Sequence, residues 1–122
     1  MWTTNDEYAE QGKFKKYAKK HRREVASCFN NLDWLCQQLN AGLTLQQAEA
    51  GIGFFSSEGG DLYRIAQSGV PYAKETRLYI HALVSGGNVY VLTIGGKETQ
   101  QADIAKCREI IGRIRAATTT EL

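Results

Sequence analysis

Along this chain the spacing of apolar side chains changes twice, and those two changes limit what it can build. From residue 13 to residue 40, Phe14, Tyr17, Ala18, His21, Val25, Cys28, Phe29, Leu32, Leu35, Cys36 and Leu39 recur at steps of three and four, the mark of an amphipathic helix. From residue 54 the period becomes two. From residue 101 to 116, Ile104, Cys107, Ile110, Ile111 and Ile114 restore the helical step. Helices on either side of a block of strands predict an α+β domain.

The first helical stretch covers about 28 residues, long for a globular helix, so a break near residues 21 to 23 that makes a helix pair stands beside one long broken helix. Gly42 supplies a stop, and Thr44 can cap a short helix over residues 45 to 49 that Gly51 and Gly53 end. Residues 54 to 57 and 62 to 67 read as short strands around the turn Glu58-Gly59-Gly60-Asp61. The strongest strand signal lies at residues 76 to 84 and 88 to 94, with Ser85-Gly86-Gly87 as the hairpin turn. Two registers are open there. A two-residue turn sets Ala82 opposite Val91, whereas a one-residue bulge sets Ile80 opposite Ile94 and gives the cleaner apolar face.

These elements predict two N-terminal helices packed on a roughly four-stranded antiparallel sheet, followed by a C-terminal helix. The helices gather on one face and leave the other face or an edge open. A single domain is expected over residues 1 to 122, with 1 to 12 as an N-terminal arm and 118 to 122 as a frayed tail.

Net charge is only +2, yet its distribution is uneven: Lys13, Lys15, Lys16, Lys19, Lys20, Arg22 and Arg23 fall within one short run that holds no acid. With Lys74 in a later loop, they form a candidate RNA-binding surface. Cys28, Cys36 and Cys107 are odd in number and lack any C-x-x-C pair, so they read as reduced, mostly buried thiols. No signal peptide and no apolar run of about 20 residues is present, so a cytoplasmic protein without a membrane partner is expected. Two histidines and no carboxylate cluster at ligand spacing predict neither a metal site nor a small-molecule cofactor.

Alternation sends Leu78, Ile80, Ala82 and Val84 to one face of the sheet, and Arg77, Tyr79, His81 and Leu83 to the other. Arg64 should join the second set from the preceding strand, and Lys97 follows the last strand. Cleavage of RNA by its own 2′-hydroxyl needs a base, an acid and cations that hold the charge growing on phosphate. His81 suits base or acid; Arg64, Arg77 and Lys97 suit charge stabilisation; Tyr79 suits stacking or proton donation. Plainer roles stand beside these. A lysine-rich helix is often only a solvated face, the arginines can pair with Glu58, Asp61 or Glu75, His81 can be a half-buried hydrogen-bonded residue, and His21 continues the apolar stripe.

The run Phe14-Lys15-Lys16-Tyr17-Ala18-Lys19-Lys20-His21, the strands Gly60-Asp61-Leu62-Tyr63-Arg64-Ile65 and Thr76-Arg77-Leu78-Tyr79-Ile80, and Val89-Tyr90-Val91-Leu92 followed by Lys97 resemble the RelE and HigB toxins. The resemblance runs from about residue 13 to 115. It implies a RelE-like fold and a type II toxin, a metal-independent endoribonuclease that cuts mRNA on the ribosome and is neutralised by a cognate antitoxin. Arg64 and Arg77 match the strand arginines that hold the scissile phosphate in that family, and Lys97 matches a basic position after the last strand. Such relatives open with a strand leading into a basic helix, whereas residues 1 to 12 here read as a poor strand. Several also keep a tyrosine or histidine near the C-terminus. None follows Tyr90 in this chain, which leaves the acid–base work to His81, Tyr79, Glu58 or Glu75. The alternatives are a non-catalytic binder on the same fold, like the gyrase-inhibiting ParE toxins, and a general nucleic-acid-binding domain.

Overall fold

A computed structural model describes residues 1–120 and places four α-helices and five strands along them. The helical opening is a pair, α1 (Gln11–Lys20) and α2 (Arg22–Asn40), broken at His21, whose φ of −133° and ψ of 47° leave the helical region. The pair folds back on itself. Phe14 of α1 meets Phe29 of α2 with ring centroids 5.8 Å apart. The buried Glu24 carboxylate anchors the start of α2, accepting the Lys74 N–H at 3.2 Å and lying 3.6 Å from His21 Nδ1.

At the far end of α2, Gly42 takes a φ of 111°, which lets the Leu43 N–H turn back to the Gln38 carbonyl at 3.1 Å. The helix α3 (Leu45–Gly51) then starts on a capping box. The Thr44 hydroxyl accepts the Gln47 N–H at 3.1 Å, and the Gln47 side chain accepts the Thr44 N–H at 3.0 Å.

The strands are β1 (Thr3–Asn5), β2 (Phe55–Gly59), β3 (Leu62–Ala66), β4 (Thr76–Leu83) and β5 (Asn88–Gly96), in the sheet order β1-β5-β4-β3-β2. The sheet is therefore five-stranded and mixed rather than four-stranded and antiparallel, because β1 pairs parallel to β5. Its three polar residues carry no alternating pattern. Instead, backbone contacts hold it in place. Trp2 N–H donates to Asn40 Oδ1 at 2.6 Å, Asn40 Nδ2 donates to the Trp2 carbonyl at 3.1 Å, and Thr3 N–H reaches the Gly87 carbonyl at 2.9 Å.

The β4–β5 hairpin takes neither expected register. Leu83 opposes Asn88, Ala82 opposes Val89 and Leu78 opposes Ile94, so the loop is longer than a two-residue turn. A bulge is present, but at Leu92, between Val91 opposite Ile80 and Thr93 opposite Tyr79. Leu92 continues the alternation that sends Val89 and Val91 to the first face and Tyr90 to the second, and so enters an apolar layer with Leu62 and Tyr79.

This layer is what the last helix covers. After a 3₁₀ turn (Lys97–Thr99), α4 (Gln100–Thr120) crosses the second face and packs Cys107, Ile110, Ile111 and Ile114 on it. The expectation of all helices on one face with the other open is thus corrected: α2 and α3 cover the first face, α4 the second. The tail expected from residue 118 is helical through Thr120, and residues 121 and 122 lie outside the described part. Cys28 and Cys107 are buried free thiols that burial pushes up to about 12, and Cys36 is a half-buried one. Among the described residues no helix is long and apolar enough to cross a membrane.

Candidate nucleic-acid interface

The basic run covers α1 from Lys13 onward and the start of α2, and most of its charges stand in solvent. Lys15, Lys16, Lys19, Lys20, Arg22 and Arg23 are exposed, and among the described residues none has a carboxylate within 4.0 Å. Lys19 and Lys20 also occupy the last turn of α1, where cations suit the helix dipole. Two of the nominated cations are committed elsewhere. Lys13 turns inward to pair with the buried Asp103, and Lys74 pairs with Glu98 at 2.6 Å.

Lys13, Lys16, Tyr17, Lys20 and His21 lie at helical spacing on the side of α1 that faces the end of β5. Between them and Gly95, Gly96, Glu98 and Thr99 runs an open cleft of about 520 Å³. At Gly95 its far wall has no room for a side chain, and at Gly96 the mobile ends of Glu98 and Lys74 fill that space. A Cβ on Gly95 would sit 2.0 Å from Asp103 Oδ2, and one on Gly96 would sit 2.7 and 2.8 Å from the Glu98 carboxylate oxygens. Lys97 is exposed in the 3₁₀ turn beside this wall. A larger cleft of about 780 Å³ opens on the other side of α1. Phe14, Ala18, Val25, Phe29 and Val91 line it, so it is mainly apolar.

The nominated sheet residues meet a different fate. Arg64 opposes Tyr79, and Arg77 opposes Ala66, so the two arginines share a face as diagonal neighbours about 7 to 8 Å apart. Each already holds an acid. Arg64 is half-exposed and 3.2 Å from Glu58; Arg77 is only 8% exposed, paired with Glu75 at 2.8 Å and bonded to Gln100 of α4. Glu58 and Glu75 therefore serve first as partners of these guanidinium groups.

Tyr79 and His81 are 0% exposed beneath α4. His81 Nδ1–H donates to the Asp61 carbonyl at 2.9 Å, since a carbonyl only accepts, and this leaves Nε2 as a bare lone pair. Among the described residues Nε2, the Tyr79 hydroxyl and Thr93 Oγ1 are buried with no hydrogen-bond partner. Burial lowers the His81 pKa, against the Asp61 bond, and pushes the Tyr79 phenol up to about 12. In this arrangement neither side chain can meet a phosphodiester. The open face expected for them is closed, because Leu62 and Leu92 give α4 an apolar floor.

Sequence reading missed several groups. Arg108 of α4 donates to the Glu58 and Gly59 carbonyls at 2.7 and 2.6 Å. Tyr72, two residues before Lys74, is fully exposed with a φ of 54°, a conformation that side-chain-bearing residues rarely take. An aromatic ring in solvent next to a lysine is a platform for a base to stack on. Its signal in the sequence is an aromatic directly after the only proline, inside a loop. No group of three or more His, Cys, Asp or Glu side chains converges among the described residues. Comparison of the chain with protein-family models, curated proteins and solved structures finds no match.

Proposed function

We propose that this chain binds RNA through the α1 ridge and acts as a toxin of the RelE and HigB kind. In that reading it is an mRNA endonuclease working on the ribosome in the cytoplasm, with a cognate antitoxin as its neutralising partner. One observation carries the reading: six exposed cations from Lys15 to Arg23 with no acid within ion-pair reach among the described residues. A face that served only solubility would mix the two signs of charge, whereas unpaired cations at close spacing are free to displace the counterions of a phosphate backbone. The order of β1 and the basic α1 supports the same reading, as does the shared face of Arg64 and Arg77.

A second reading has its own observation. Tyr79 and His81 are enclosed, which favours a binder without catalysis, like the ParE toxins. Expression of the chain in growing cells, followed by mapping of message ends on translating ribosomes, separates the two. Growth arrest with new message ends supports the nuclease, and both effects should disappear when Lys15, Lys16, Lys19 and Lys20 become serine in a protein that still folds. Arrest with intact messages supports the binder. Soluble wild-type protein that leaves growth and messages untouched rules out both.

A further inference from the structure

We propose that the cleft between α1 and the β5 end is a phosphate-binding site, held in this conformation by the chain's own Glu98 carboxylate in the ligand's place. The inference rests on the RNA-binding reading and assigns it a pocket. Lys16 and Lys20 are four residues apart on the cleft side of α1, about 6 Å between their Cβ atoms, a spacing from which two ammonium groups can grip one phosphate. Lys74 supplies a third ammonium group at the opposite wall, where it is bound to Glu98 at 2.6 Å.

Gly96 is what allows this wall. Its φ of −99° is open to any residue, so backbone freedom is not the reason for a glycine. What the missing side chain leaves is space that the ends of Lys74 and Glu98 occupy. A Cβ there would fall 2.9 Å from Lys74 Cε and within 2.8 Å of both Glu98 oxygens, so the ion pair lies directly over bare backbone. A carboxylate over a glycine floor, held by the Lys74 ammonium group, offers the charge and the two oxygens that a phosphate would offer.

The Glu98–Lys74 pair is easily exchanged. The Glu98 side chain is 58% exposed, and exposed ion pairs are weak because water screens them. Lys13 behaves differently: its bond to the buried Asp103 fixes the base of α1 against the 3₁₀ turn. An incoming phosphate would release Glu98 to solvent and take Lys74 together with Lys16 and Lys20.

Calorimetric titration of the full chain with inorganic phosphate, and separately with a short single-stranded RNA, tests this. Glu98→Gln should strengthen both affinities roughly two- to fivefold, the value of one exposed ion pair no longer competing. Lys16→Ser with Lys20→Ser should abolish phosphate binding. Lys15→Ser with Lys19→Ser, equal in charge loss but outside the cleft, should keep phosphate binding and weaken only the RNA. Equal effects of the two double variants, no phosphate binding by wild type, or weaker binding by the exposed-site Glu98→Gln variant would each overturn the site. RNA binding that persists alongside any of these results leaves the RNA reading standing. Phosphate binding without RNA binding removes that reading and keeps the site.

Discussion

Beneath α4 the His81 ring gives up its solvent and keeps one hydrogen bond, to the Asp61 carbonyl. Burial therefore lowers its pKa below the unfolded value near 6.5. A group depressed on folding favours the folded state above the unfolded pKa and loses that contribution as pH falls toward the folded one. Melting temperature should thus drop between pH 7 and 5 more steeply in wild type than in His81→Gln, and identical slopes would contradict the burial. Tyr79 carries a hydroxyl with no partner, so Tyr79→Phe should unfold later by about 1 kcal/mol, the cost of an unpaired buried group. A loss of stability on denaturant titration would show that the hydroxyl is bonded after all. That Arg64, Tyr79 and His81 share a face was legible from alternation alone. Their enclosure was not, because it depends on α4 settling over Leu62 and Leu92, a tertiary contact that alternation does not reveal.

Among the elements, those with strong local signals were the most readable. Thr44 and Gln47 announce the start of α3, and Thr44→Ala should cost about 1 kcal/mol of stability by removing one half of the capping box. Unfolding curves that overlay wild type would mean that the cap is dispensable. The break between α1 and α2 had two readings in the sequence, since neither glycine nor proline marks His21. Buried Glu24 and its bond to the Lys74 backbone, contacts from far along the chain, make the α2 start a fixed point. β1 left no trace in the pattern for a related reason. Its pairing with β5 and the reciprocal bonds of neighbouring Trp2 with Asn40 are tertiary, and three polar residues do not advertise them.

At the scale of the whole molecule, covering both faces of the sheet moves the accessible chemistry to one end. The ridge of α1, the cleft beside β5 and the Tyr72–Lys74 loop are the cationic and aromatic surface that remains, while the sheet's polar groups lie under α4 or hold acids. The charge of that surface was plain in the run from Lys13 to Arg23. Its shape was not, since the cleft needs Gly95 and Gly96 from the far end of the sheet. In the proposed function, the exposed cations of α1 bind RNA phosphates. The most direct measurement of that binding is the affinity for single-stranded RNA against salt concentration, for wild type and for the variant with Lys15, Lys16, Lys19 and Lys20 changed to serine. Binding should fall steeply with salt in wild type, and the variant's logarithmic slope should be shallower by about 0.7 for each lysine that contacts a phosphate. Binding that is absent, or whose salt slope is the same in both proteins, would contradict the proposed function.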